Sequence, residues 1–230
     1  MADTFSFLNT KHSSFIPLLS GMPQQAYMPV DLSVSNKDLS LAILQDAQLH
    51  KDWINTRLSE NGKQVAYGGY LEKRKLYERS TYFQSAETDE QRNIHLGVDL
   101  WCTAQTEVLS PLDGVIHSFQ ENTNYGDYGP TIILQHIVKD HIFYTLYGHL
   151  SKASLLNKKE GQKVHAGEVI AQLGTPDVNG NYAPHLHFQI IKDMQGIKGD
   201  YPGVCSTKNL EFYKNNCPDP NFLLNIKLAF

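Results

Sequence analysis

Asn181-Tyr182-Ala183-Pro184-His185-Leu186-His187-Phe188-Gln189-Ile190-Ile191 is the stretch on which the reading of this chain turns. Leu186, Phe188 and Ile190 alternate with His185, His187 and Gln189, which is the period of a half-buried strand. Its polar face then carries two imidazoles two residues apart, with Cα atoms about 6.6 Å apart in an extended chain. Such a pair can meet at one small object, and a metal ion is the commonest. Two solvent-facing strand histidines are the competing reading, so other parts of the chain must decide.

Working outward, the region from about Ile94 reads as short strands separated by turns. Leu96, Val98 and Leu100 alternate with His95, Gly97 and Asp99. Pro111-Leu112-Asp113-Gly114 is a turn before a strand over 115–119. Asn122 to Pro130 is a polar loop. Strands over 131–137 and 141–146 flank a tight turn at Lys139-Asp140, and Gly161, Gly167 and Gly174 punctuate two more. Many short strands at this spacing predict a mainly β fold: an antiparallel β-sandwich or open barrel with a partly helical N-terminal extension. Leu39, Ile43, Ala47, Ile54 and Leu58 predict a helix from about Lys37 to Glu60, entered at Ser35-Asn36 and stopped at Asn61-Gly62. A second short helix is expected over Leu71 to Arg79. The chain divides into an extension over 1–85, a core over 86–200 and a tail over 201–230.

Composition narrows the function. The 230 residues carry a net charge of −4, and the longest basic cluster, Lys73-Arg74-Lys75, reads as a solvated helix face. Nucleic acid is not expected as the main partner. Cys102, Cys205 and Cys217 form no C-x-x-C pair, and free buried thiols are expected. No apolar run is long enough to span a bilayer, and no leader pattern opens the sequence, so the default expectation is a cytoplasmic protein.

The second candidate pair is His95-Leu96-Gly97-Val98-Asp99. A straight strand would hold the two side chains' Cα atoms about 13 Å apart, too far to reach one ion comfortably, so either this is a helical turn or the backbone bends. The alternation points to a strand, with Gly97 the place for a bend or bulge. His95, Asp99 and one histidine of the later pair make a three-ligand set. Three protein ligands leave a zinc ion one open position for water, the arrangement of a catalytic site. The H-E-x-x-H motif is absent, since no histidine is followed by glutamate. The remaining histidines must supply acid–base chemistry. His149, in Tyr147-Gly148-His149-Leu150 at a strand end, is the best placed. His12 and His50 have no polar company. His117, His136 and His141 are assigned to structure, the last two satisfied by solvent beside a hairpin turn. Gly161 to Gly174 has the look of a biotinyl or lipoyl carrier half, but its tip, His165-Ala166-Gly167-Glu168, offers no lysine, so a carrier role is rejected.

Taken in order, H-x-x-x-D, Tyr-Gly-His-Leu and Pro-His-Leu-His-Phe resemble the lysostaphin and LytM type of zinc metalloendopeptidase, over about Ile94 to Ile191. Gly68-Gly69-Tyr70-Leu71-Glu72, Asp127-Tyr128-Gly129-Pro130-Thr131 and Gly199-Asp200-Tyr201-Pro202-Gly203 are similar to peptidase-like modules found beside kinase-like and aminotransferase modules in some bacterial proteins. The resemblance implies zinc on His95, Asp99 and His187, catalysis by His149 and His185, and a small antiparallel β core with the metal in a groove. It implies hydrolysis of amide bonds in a peptide or peptidoglycan-derived substrate by zinc-bound hydroxide. Tyr125, Tyr128 and Tyr182 are candidates for the substrate-binding wall. Two competing expectations are a non-catalytic module that keeps zinc as a staple and a zinc amidase acting on a small metabolite.

Overall fold

A computed structural model of the chain describes residues 15–80, 83–84, 87 and 90–226. Twelve strands are present among them: β1 (Tyr27–Pro29), β2 (Val65–Gly68), β3 (Ile94–His95), β4 (Val98–Trp101), β5 (Glu107–Leu109), β6 (Gly114–Asn122), β7 (Gly129–Val138), β8 (His141–Gly148), β9 (Lys163–Val164), β10 (Val169–Gln172), β11 (His185–Ile191) and β12 (Val204–Cys205). Eight form one sheet in the order β1-β2-β4-β11-β8-β7-β6-β9, antiparallel except for β1 beside β2. β5 with β10 and β3 with β12 make two smaller sheets. The fold is mainly β, and no closed barrel is formed among the described residues.

The alternation of β11 sets the layers. Leu186, Phe188 and Ile190 enter the largest core, with Val98, Leu100, Ile132, Leu134 and Tyr147 from neighbouring strands. The opposite face, carrying His185, His187 and Gln189, is also buried. The strand is therefore covered on both sides rather than half-exposed. The cover on the polar face comes from the segment after β2 and from residues 200–204.

The first 85 residues contribute directly to the central sheet. β2 pairs with β4, placing Gly68 opposite Asp99. After a turn at Gly68-Gly69 the chain runs back beside β3: Leu71 N–H donates to His95 O, His95 N–H to Glu72 O and Arg74 N–H to Asn93 O, all at 2.9–3.0 Å. This ladder replaces the first part of the helix expected over Leu71 to Arg79. Only a 3₁₀ turn over Lys75–Arg79 remains, because Leu71 takes a positive φ of 56° and the following residues hydrogen-bond beside β3, with an isolated bridge between Lys73 and Ile94.

The expected helix over Lys37 to Glu60 is two helices, Leu41–Gln45 and Ala47–Glu60. Asp46 interrupts them with extended backbone (φ −106°, ψ 117°), and its carboxylate caps Gln48 and Leu49 N–H. Ser40, not Ser35 or Asn36, caps the first; Asn36 instead serves a tight turn by accepting from Asp38 N–H. All three cysteines are free, with Cys205 and Cys217 buried and Cys102 half-buried. His12 lies outside the described residues.

His50, on the helix Ala47–Glu60, packs between Trp53 and Trp101, and its buried Nε2 has no hydrogen-bond partner. Burial, then the proximity of His185 and Arg74, holds its pKa down to about 3. The folded protein thus keeps His50 neutral while the unfolded chain protonates it below about 6.5. Its contribution to stability is present above about pH 6.5 and is lost as pH falls toward 3. We predict that His50→Phe flattens the fall of stability between pH 6 and pH 4 by roughly 1.4 kcal/mol per pH unit. Urea denaturation at a series of pH values checks it; an unchanged slope contradicts it.

Candidate metal and catalytic centre

Asp99 and His187 are opposed across the β4–β11 ladder, so their side chains share one face of the sheet. His95 joins them through the bend that a straight strand would not permit. β3 pairs with β12, whereas β4 pairs with β2 and β11, and the chain changes sheets between His95 and Val98. Gly97 occupies the corner. A Cβ there would lie 2.6 Å from Phe188 O and 2.7 Å from the His187 ring, so only glycine admits this approach.

His95, Asp99 and His187 form the candidate metal set. His95 Nε2 lies 2.9 Å from His187 Nδ1 and 3.2 Å from Asp99 Oδ1, and His187 Nδ1 lies 3.1 Å from Asp99 Oδ1. Outer partners fix the tautomers. His95 Nδ1–H donates to Gly69 O at 3.0 Å, and His187 Nε2–H donates to Gln189 Oε1 at 2.9 Å. Gln189 is oriented in turn, its amide donating to Pro202 O and Cys217 Sγ. Both imidazoles therefore turn lone pairs toward Asp99 Oδ1, and three acceptor atoms converge. One proton can bridge two of them; a cation satisfies all three. Donors about 2.0–2.1 Å from a tetrahedral zinc lie roughly 3.4 Å apart, close to the observed spacings. The donor set fits zinc.

His149 and His185 lie beside this set, with ring centroids 4.2 Å apart. His149 Nδ1–H donates to Asn179 O at 2.8 Å and His185 Nδ1–H to Ala183 O at 2.7 Å. Each keeps Nε2 as its free lone pair, and that of His185 is 3.8 Å from Asp99 Oδ1. His149 sits in left-handed backbone at φ 62°, fixed by its N–H bond to Tyr128 O. Trp101 stacks on the His185 ring at 5.6 Å.

The five residues are between 1% and 6% exposed. Burial, then the charge of Arg74, holds the His95 imidazole down to about 3. Burial, then His185, holds His149 well below the ordinary histidine value, and burial lowers His185 against the opposing field of Asp99. Burial by itself would raise the Asp99 carboxyl; His95, Arg74 and His185 outweigh it and hold the group well below the usual carboxylate range. The centre thus combines a fixed anion at Asp99 with imidazoles held neutral at His95, His149 and His185.

The centre is a walled pocket rather than a groove. Leu76, Tyr77 and Phe83 close one side, and residues 200–204 close another. Of the three candidate wall tyrosines, Tyr128 and Tyr182 line the pocket. Tyr128 O–H lies 3.4 Å from His187 Nε2, and Tyr182 O–H donates to Gly126 O. Tyr125 does not line it; it is 52% exposed, stacked under Arg79. His117, His136 and His141 lie away from the site. His136 is completely buried rather than solvent-satisfied, with Nδ1 bonded to Asp113 O and Nε2 to Thr145 Oγ1. His165 is an exposed turn residue.

Sequence reasoning missed Arg74. Expected on a solvated helix face, it is 1% exposed and donates through Nη1 to Asp99 Oδ2 at 2.5 Å and through Nε to Glu72 Oε2 at 2.6 Å. The available signal was the i, i+2 spacing of Glu72 and Arg74, which puts both on one side of an extended segment. Gln189 was also missed, although its alternation with His187 places it on the same face.

Residues 93–199 match the family model described as peptidase family M23. No curated protein matches the chain significantly. Among solved structures, the chain is similar to the catalytic domain of the antimicrobial peptidase lysostaphin from Staphylococcus simulans: 26% identity, covering 71% of this chain and 97% of that one, TM-score 0.39. A zinc-containing peptidase from Vibrio cholerae gives 28% identity over 43% of this chain and 27% of that one, TM-score 0.35. The catalytic domain of a prophage-encoded M23 protein from Enterococcus faecalis gives 22% identity over 48% and 80%, TM-score 0.37.

The corner at Gly97 generates a prediction. Gly97→Ala pushes the new methyl into the Phe188 carbonyl and the His187 ring, and we expect a loss of about 1–3 kcal/mol in stability. Chemical denaturation of the metal-free protein measures it. A variant as stable as the parent contradicts the close approach described here.

Proposed function

With residues 93–199 as a peptidase family M23 domain, we propose that this protein is a zinc-dependent metalloendopeptidase acting on amide bonds of a peptide or peptidoglycan-derived substrate. One observation carries the reading: three proton-free acceptor atoms, on His95, Asp99 and His187, converge beside two histidines that offer free Nε2 atoms. Zinc held by those three would supply a Lewis acid that polarises the scissile carbonyl and brings the pKa of water toward 7.

The remaining steps belong to the chain's own residues. His185 Nε2 accepts the proton of the attacking water, and Asp99 Oδ1 at 3.8 Å favours the imidazolium so formed. The carbonyl of Ala183 fixes the His185 tautomer, so the basic nitrogen is Nε2. His149, held by Asn179 O, faces the same space. Neutral at rest, it donates to the oxygen on which charge develops only once the proton of the attacking water reaches its Nε2 from His185, whose ring centroid is 4.2 Å away, and that proton then passes to the leaving amine. Tyr128 and Tyr182 remain protonated phenols, since burial raises both, and they contribute walls rather than bases. The deep burial of all five site residues excludes bulk water and strengthens each of these interactions.

The wall formed by Leu76, Tyr77 and Phe83 favours a second reading of the substrate. An enclosed pocket suits a short peptide or a small amide better than the middle of a long chain. Digestion of peptides of graded length with mass readout separates the two: internal cleavage of long peptides supports the endopeptidase, and turnover restricted to short amides supports the amidase.

The metallohydrolase reading predicts about one zinc per chain, activity lost on chelation and restored by zinc. His149→Ala and His185→Ala should keep the metal and lower kcat by about 10²–10⁴-fold. Elemental analysis and steady-state kinetics on the same preparations test it. Variants that keep the parent's turnover overturn the assignment of these histidines. A folded, zinc-loaded parent without hydrolysis supports a zinc-stapled binding module instead.

A further inference from the structure

The two oxygens of the Asp99 carboxylate have separate partners. Oδ1 faces the imidazole nitrogens of His95 and His187, whereas Oδ2 is taken by Arg74 Nη1. Resting on the zinc-hydrolase reading above, we propose that Arg74 is a positioning residue for the metal, and that the segment Gly69–Arg74 is an obligatory outer wall of the centre although it lies before the family-matched residues 93–199.

A free carboxylate rotates about its Cβ–Cγ bond and can present one oxygen or both. A guanidinium bonded to Oδ2 removes that freedom and leaves Oδ1 as the single donor. The Arg74 fork is itself held. Nε donates to Glu72 Oε2, Nη2 approaches Gly68 O at 3.5 Å, and the Trp101 ring lies 5.6 Å from the guanidinium carbon. Lysine has one charged nitrogen and no planar fork, so it cannot serve Glu72 and Asp99 in this geometry.

The same segment sets a second ligand. Gly69 O accepts from His95 Nδ1–H and thereby aims the His95 Nε2 lone pair at the metal position. Residue 69 must be glycine: φ is 109°, and a Cβ would lie 1.8 Å from Arg74 Nη2 and 2.9 Å from His95 Nδ1. Two of the three ligands are therefore oriented by residues 69–74, and the third, His187, by Gln189. The ladder between 71–74 and 93–95 fixes the distance between the two segments.

Zinc affinity of the metal-free chain and of its Arg74→Lys, Arg74→Met and Glu72→Gln variants, by competition with a chromophoric chelator, tests the proposal. Near-ultraviolet circular dichroism reports folding of each sample. Both Arg74 variants should bind zinc about 10–100-fold more weakly, and the visible spectrum of the cobalt-loaded form should change. Glu72→Gln should weaken binding in the same direction by less. If Arg74→Met does not fold, Arg74→Lys decides, since it keeps the charge and most of the volume. A folded Arg74→Lys variant with parental affinity and an unchanged cobalt spectrum, altered only in thermal stability, overturns the proposal and leaves Arg74 a purely structural ion pair. A parent chain that takes up no zinc overturns the hydrolase reading itself, which is a separate result.

Discussion

A carboxylate removed from water must find charge or donors close by, and Asp99, 2% exposed, is the group around which this molecule is arranged. Its partners come from three directions. His187 reaches it across the ladder, His95 around the corner at Gly97, and Arg74 from 25 residues earlier. The sheet order makes the last of these possible. Because β2 lies next to β4, the chain leaves β2 directly opposite Asp99 and needs only the turn at Gly68-Gly69 to return over it. The N-terminal strands, the glycine turn and the buried ion pair thus serve one requirement.

What could be read from the residues follows from how local each signal is. The alternation in His185–Ile191 and the H-x-x-x-D spacing lie within a few positions, so the strand, the candidate ligand types and Gly97 as the place for a bend are legible without coordinates. The glycine punctuation likewise exposes the β hairpins of the core. The break at Asp46 was not legible, because the apolar period runs through it and only the capping of Gln48 and Leu49 marks it. Arg74 was misread for a deeper reason. Neighbouring lysines on both sides make Lys73-Arg74-Lys75 look solvated, and its partners Asp99 and Glu72 become visible only when the segment is known to be extended rather than helical. Tyr125 and Tyr128 show the same limit: three residues apart in one loop, one is exposed and the other walls the site, a difference decided by packing against Gly148 and His187.

Enclosure links the fold to the chemistry. The polar face of β11 could have been open to solvent, and burial would then not have lowered His185. Instead residues 69–80, Phe83 and the tail strand β12 cover it, and burial is the leading cause of depression in His95, His149 and His185. Neutral imidazoles are what the two proposed roles would require, a lone pair for a metal and a lone pair for a proton. Each ring also spends its other nitrogen on an acceptor: Gly69 O, Asn179 O, Ala183 O or Gln189 Oε1. The cover therefore sets protonation state and orientation together.

The charges of this enclosed centre point the same way. Asp99 and Glu72 carry two negative charges against the single positive charge of Arg74, so the three together hold a net −1. Removing the Asp99 charge would leave Arg74 and Glu72 to neutralise each other, with no net charge to attract a cation. Removing Arg74 would leave two close carboxylates, with a driving force for one to take up a proton. The pair as found keeps Asp99 ionised while spending only one of its oxygens. Under the proposed hydrolase reading, a divalent ion would change the sum from −1 to +1, a sign that would favour negative charge on a carbonyl oxygen under attack. Arg74 thus lies on the side of Asp99 away from the chemistry, yet its charge helps decide whether the pocket as a whole can accept a cation first and stabilise an anion afterwards.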